Sequence, residues 1–219
     1  AAMLFISTLA VPAWGADNIS LNDSLQEIVS YYENNKTTLD NWEEVVGLAN
    51  AGVNFSDNSW QLPDWGIDSL NEASPGAKYA TTILGMLAAN QDPTIVNDRN
   101  LVNELAARQT DNGAFGEQIT DTIWAMVALD KAQAPYDIEK AVNYLMTQQI
   151  TDGGFAFSGS TADPDITGFA LIALSSHTDT AEVNESINAA KVSLQKMQLD
   201  NGGFASWGTE NTETIAAVI

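Results

Sequence analysis

The chain of 219 residues has no cysteine and a single histidine, His177. Disulfides, thiolate metal sites and thiol nucleophiles are therefore excluded. With one imidazole, set in a Ser-Ser-His-Thr-Asp loop signal, most zinc sites and a Ser-His-Asp triad are set aside as well. No metal site is expected. Basic residues are also scarce, eight against 29 acidic ones, for a formal net charge of −21. That field repels a phosphate backbone, so nucleic acid is not an expected partner. The acids are scattered, which reads as a solvated surface.

The apolar run 2–11 is too short to cross a bilayer, and no transmembrane segment is expected in the mature chain. It is followed by Pro12-Ala13-Trp14-Gly15-Ala16, with Ala13 and Gly15 at the small-residue positions of a signal-peptidase site. Residues 1–15 are therefore expected to be the remnant of a signal peptide, and the protein to be secreted or held at the cell surface. The alternative is an apolar N-terminal element packed on the domain. Residues 16–219 are expected to form one domain, since nothing in the chain demands a second.

What the chain does have is a repeat. Gln-x-x-x-Gly-x-Phe occurs at Gln109, Gly113 and Phe115, at Gln149, Gly153 and Phe155, and at Gln198, Gly202 and Phe204. The copies start 40 and 49 residues apart, the period of stacked supersecondary units. Each is soon followed by an acid, a threonine and an apolar helix: Asp121-Thr122, Asp165-Ile-Thr167 and Glu213-Thr214. Glycine and asparagine tolerate positive φ where a helix ends and the chain reverses. The glutamine is expected to bond backbone groups of the turn it ends, and the phenylalanine to pack between units.

Helical periodicity runs over residues 24–34, 78–90, 98–109, 120–131, 137–149, 165–175 and 182–198, with Asp40 capping a further helix before Gly52. Residues 54–75 form the longest connection, tacked down by Trp60, Leu62 and Trp65. No stretch shows strand alternation or a hairpin turn. Segments apolar all round, such as 123–129 and 169–174, alternate with amphipathic ones such as 138–145 and 187–197. The first kind belongs inside and the second around it, in two layers. The expected fold is all-α. The last repeat helix begins at Thr214 and the sequence stops about two turns later, so the domain is expected to be truncated at its C-terminus.

Gln-x-x-x-Gly-x-Phe followed by an acid-Thr helix resembles the repeat of terpenoid cyclases and protein prenyltransferases. Segments 40–52, 100–105 and 152–174 are similar to secreted bacterial repeat proteins of that superfamily, related in shape to the helical domain of cobalamin carriers. The resemblance covers residues 25–219. It implies an α/α toroid, an incomplete barrel of inner and outer helices built from helix-hairpin repeats.

Asp163-Pro164-Asp165-Ile166-Thr167 resembles the Asp-x-Asp-Asp-Thr of class II terpene cyclases, in which the general acid stands at the start of an inner helix. The resemblance makes Asp163 and Asp165 the catalytic candidates, with Asp165 on the proton donor's position. Ile166 replaces the third acid. The competing reading makes Asp165 a helix N-cap and Asp163 a turn residue. The prenyltransferase zinc, held by Asp, Cys and His, has no cysteine here to hold it. Tyr79, Trp124, Phe157, Phe169 and Trp207 fall at or near loop-to-inner-helix junctions and are the ligand-binding candidates around one mouth of the toroid.

Three functions remain open. One is a non-catalytic binding or adhesion domain, taking a small cyclic ligand such as a cobalamin, a glycan or a surface protein, with no cofactor of its own. The second is an enzyme, cyclase-like or glycan-active, using Asp165 and Asp163. The third is a purely structural module of a larger surface protein.

Overall fold

The computed structural model describes residues 20–57 and 60–218. The segment 1–15 lies outside them. Nine α-helices are present among the described residues: α1 Leu21–Asn35, α2 Trp42–Asn50, α3 Gly76–Ala88, α4 Leu101–Ala106, α5 Ile119–Lys131, α6 Ile138–Thr147, α7 Pro164–Leu174, α8 Ala181–Met197 and α9 Thr212–Val218. The fold is all-α apart from one hairpin, β1 Ala205–Ser206 paired antiparallel with β2 Thr209–Glu210. The sequence shows no strand signal there. Two residues a side leave no alternation to read, and only the turn residues Trp207 and Gly208, both at positive φ, define it.

Most helices begin on a side-chain cap. Ser20, Asn41, Asn100, Asp137, Asp163 and Thr180 each accept a backbone N–H of the first turn. The cap of α2 is Asn41 and not Asp40. Asp40 instead pairs with Lys36, which also pairs with Glu44.

Packing follows the alternation of helix types. α5 and α7 bury residues on most sides, among them Thr122, Ile123, Ala125, Met126 and Leu129, and Ile166, Thr167, Ala170 and Leu174. α3, α5, α7 and α9 pack one against the next in a row. α4 lies against α3 and α5, α6 against α5 and α8, and α8 also against α7. One large core joins α3 to α8. A smaller cluster joins Val29, Leu39, Val45 and Leu48 to the long connection through Trp60 and Leu62. The indole N–H of Trp60 donates to the Lys36 carbonyl at 2.9 Å, and that of Trp65 to Gln91 Oε1 at 2.7 Å.

The repeat loops work differently from the expectation. Gln109 does not serve its own turn: Nε2 donates to the Asp137 carbonyl at 2.7 Å, and Oε1 accepts the Asp137 N–H at 2.8 Å. Gln149 donates to the Ser186 carbonyl at 2.8 Å and to Gly153 O of its own loop. These glutamines tie the first loop to the start of α6 and the second to α8. Phe115, Phe155 and Phe204 are buried, as the sequence reading has them. Thr122 Oγ1 accepts the Phe115 N–H at 3.1 Å and Thr167 Oγ1 that of Phe155 at 3.0 Å, latching each loop to the helix after it.

Candidate functional site

The second repeat loop leads into α7, and its geometry sets the site. Asp163 is the N-cap: Oδ1 accepts the N–H groups of Asp165 and Ile166 at 2.9 and 3.1 Å. Its other oxygen accepts the Ser206 hydroxyl at 2.7 Å, which ties the β-hairpin to the helix start. The cap assigned to Asp165 therefore belongs to Asp163. Proline at N1 explains the shift, because its fixed φ and missing N–H suit the first helical position and make the residue before it the cap. Asp165 stands one position later, within the first turn, and its Oδ1 is buried without a hydrogen-bond partner.

Asp163, Asp165, Phe157, Ile166, Phe169 and Trp207 line one cavity of about 220 Å³. Five of the sequence-selected residues thus meet at one place, although they come from a loop, a helix and a hairpin tip. Trp207 is 83 % exposed and Phe157 44 %, so the cavity opens to solvent between two aromatic rings. Trp207 has φ +53°, a left-handed conformation that is uncommon for a bulky side chain, and the tight hairpin imposes it.

Trp124 stands behind this cavity. Its ring lies 4.9 Å from that of Phe169 and 5.3 Å from that of Trp42, so three aromatics run from α7 across α5 to α2. Tyr79 does not join them. It is 2 % exposed, its hydroxyl is bonded to Glu104 and Arg99, and the Arg108 guanidinium stacks 4.3 Å over its ring. It is a packing residue between α3 and α4.

A larger cavity of about 620 Å³ opens beside the C-terminal ends of α3, α5 and α7, lined by Val46, Leu84, Leu87, Val127, Lys131 and Ile172 among others. The sequence reading missed it. Leu84 and Leu87, like Phe169 and Ile172, are three apart on one helix face, a signal shared by every packed helix. Only the crossing of α2 turns that face into a cavity wall. The two cavities share α7: Asp165 and Phe169 line the smaller, and Ile172, further along the same face, the larger.

His177 is anchored at the larger cavity's margin. Nε2 lies 2.8 Å from Oδ2 of Asp130, a lining residue whose Oδ1 accepts the Tyr136 hydroxyl at 2.8 Å. Burial, and then the neighbouring Asp130 carboxylate, push the Tyr136 phenol well above its ordinary range. Among the described residues no group of three or more His, Cys, Asp or Glu side chains is placed to hold a metal ion.

No protein-family model matches the chain, and no curated protein matches it as a relative. Among the described residues no helix is long and apolar enough to cross a membrane. The cavities and side chains are therefore what bears on function.

Proposed function

We propose that the protein is a non-catalytic binding domain on an α/α toroid scaffold, exported to the cell surface or medium, holding its ligand at the start of α7 beside the β-hairpin. The scaffold reading is supported by the order of packing, with α3, α5, α7 and α9 as the inner row and α4, α6 and α8 outside them. The observation that carries the binding reading is the meeting of Phe157, Phe169 and Trp207 with Asp163 and Asp165 around one open cavity.

That cavity is smaller than the roughly 300–1,000 Å³ that buries a drug-sized ligand, so it takes one ring or a group of similar size. A sugar unit of a glycan, stacked on Trp207 and bonded to Asp165, fits more fully than a corrin, which it would grip only by an edge. Asp163 accepts two hydrogen bonds as a cap and a third from Ser206, and Ile166 occupies the third acid's position. A carbocation-forming acid needs a site closed to water, whereas exposed Phe157 and Trp207 rim an open one.

The unpartnered Asp165 Oδ1 favours one second reading, a glycan-active enzyme with Asp165 as its acid or base. Glycan-array binding followed by titration of tryptophan fluorescence tests both. Binding lost in Trp207→Ala with the sugar recovered intact supports the binding domain. Product release abolished by Asp165→Asn would replace it with the enzyme, and no ligand on the array would remove both.

A further inference from the structure

The three repeat loops are not in equivalent surroundings, and the difference defines a vacant interaction surface. In the first copy, a Cβ on Gly113 would lie 2.1 Å from the Lys140 carbonyl oxygen, so the α6 backbone rests directly on the glycine. In the second, a Cβ on Gly153 would lie 2.7 Å from the Ala189 carbonyl oxygen of α8. Each loop thus receives the outer helix that follows it.

The register is the same in both. Gln109 bonds the carbonyl of Asp137 and Gln149 that of Ser186, each three residues before the carbonyl over the glycine. The next residue is alanine in both cases, Ala141 and Ala190, fully buried. Four further on stand the buried Leu145 and Leu194, and isoleucine follows the bonded carbonyl as Ile138 and Ile187. The stripe Ile-x-x-Ala-x-x-x-Leu is one helix face, and the alanine allows the backbone to approach the glycine closely.

The third loop repeats the acceptor side with no described residue on it. Among the described residues nothing lies within 4 Å of a Cβ on Gly202. Gly202 and Gln198 are exposed, whereas Gly113 and Gly153 are buried and Gln109 and Gln149 half-buried. The Gln198 amide donates to the Gly202 carbonyl of its own loop at 3.0 Å, as Gln149 does to Gly153, but among the described residues has no counterpart of the Ser186 bond. The surface also continues an established one, the row in which α8 lies beside α6.

We infer that the Gln198–Phe204 loop is a docking site for an amphipathic α-helix bearing Ile-x-x-Ala-x-x-x-Leu, with the alanine over Gly202 and a backbone carbonyl accepting from Gln198 Nε2. The probe is a labelled, end-capped peptide of residues 180–198, which carries the stripe and is long enough to form helix when seated. Binding to the full chain is followed by fluorescence anisotropy.

The expected result is saturable binding that weakens about tenfold or more when the peptide carries Ala190→Arg, or when the protein carries Gly202→Ala. The peptide substitution leaves the protein untouched and so separates docking from folding, whereas Gly202→Ala, which meets no described atom but is strained at φ +86°, counts only where circular dichroism shows the variant folded. Equal binding by the Ala190→Arg peptide, or no saturable binding, would overturn the inference. Self-association abolished by Gly202→Ala, without peptide binding, would also overturn it and place a second copy on this surface.

Discussion

Alanine at the repeat glycines separates two costs that are usually confounded. Gly113, Gly153 and Gly202 all have φ between +86° and +94°, so any side chain there pays about 1–2 kcal/mol of left-handed strain. The steric cost differs. At Gly113 the new methyl would sit 2.1 Å from Lys140 O and 2.4 Å from its carbonyl carbon, backbone atoms that cannot rotate away. α6 would have to move as a body, at a further cost of about 1–3 kcal/mol. At Gly202 there is open space, and the strain stands alone. Gly113→Ala should therefore destabilise by about 2–5 kcal/mol and Gly202→Ala by about 1–2 kcal/mol. Gly153→Ala should fall between them, since its nearest atom is 2.7 Å away. For a chain of this length the gap between the extremes corresponds to roughly 2–12 °C in Tm. Thermal and urea unfolding followed by circular dichroism would measure it. Equal shifts for Gly113→Ala and Gly202→Ala would refute the packing account and leave the glycines as turn formers only.

The threonine latches predict a second series. Thr167→Val strands the buried Phe155 N–H and should cost about 1–3 kcal/mol in urea unfolding, with Thr122→Val similar at Phe115. Thr214→Val should be neutral or slightly stabilising, because the Thr214 hydroxyl is buried without a partner. Asp163→Ala should cost about 0.5–2 kcal/mol as a lost cap, whereas Asp165→Asn should leave Tm nearly unchanged and show its effect in ligand titration or turnover. Because the folded state raises the Tyr136 phenol above its ordinary 10.0, the folded chain holds that proton more tightly than the unfolded chain. Its stabilising contribution is complete below pH 10 and declines as the pH rises beyond it, and Tyr136→Phe should flatten that alkaline limb in pH-dependent unfolding.

The helices were legible because their signals are local. Period, caps and breakers lie within a few residues, so α5 and α8 fall within a residue of their expected starts, and α4 is the short exception. The candidate site was legible in part. Asp163 and Asp165 were selected from their resemblance to an acid motif, and Phe157, Phe169 and Trp207 from their place near loop-to-helix junctions, and all five share one cavity. Tyr79 was selected as another such aromatic and is a core residue, since its neighbours Arg99, Glu104 and Arg108 come from α4 and the turns on either side of it.

The sequence by itself determined an all-α chain, the positions of its repeat loops and the absence of thiol chemistry, all of which follow from residue type and spacing. Only the tertiary structure decided which partner each repeated residue meets. Gln109, Gln149 and Gln198 are the same residue in the same motif, yet the first two hold α6 and α8 and the third, among the described residues, bonds only its own loop. Asp163 and Asp165 are two acids a residue apart, yet one caps a helix and the other keeps a buried oxygen free of any bond. Hydrogen bonds reach about 3 Å and depend on direction, so a motif can supply the group while the packing of distant helices supplies its partner.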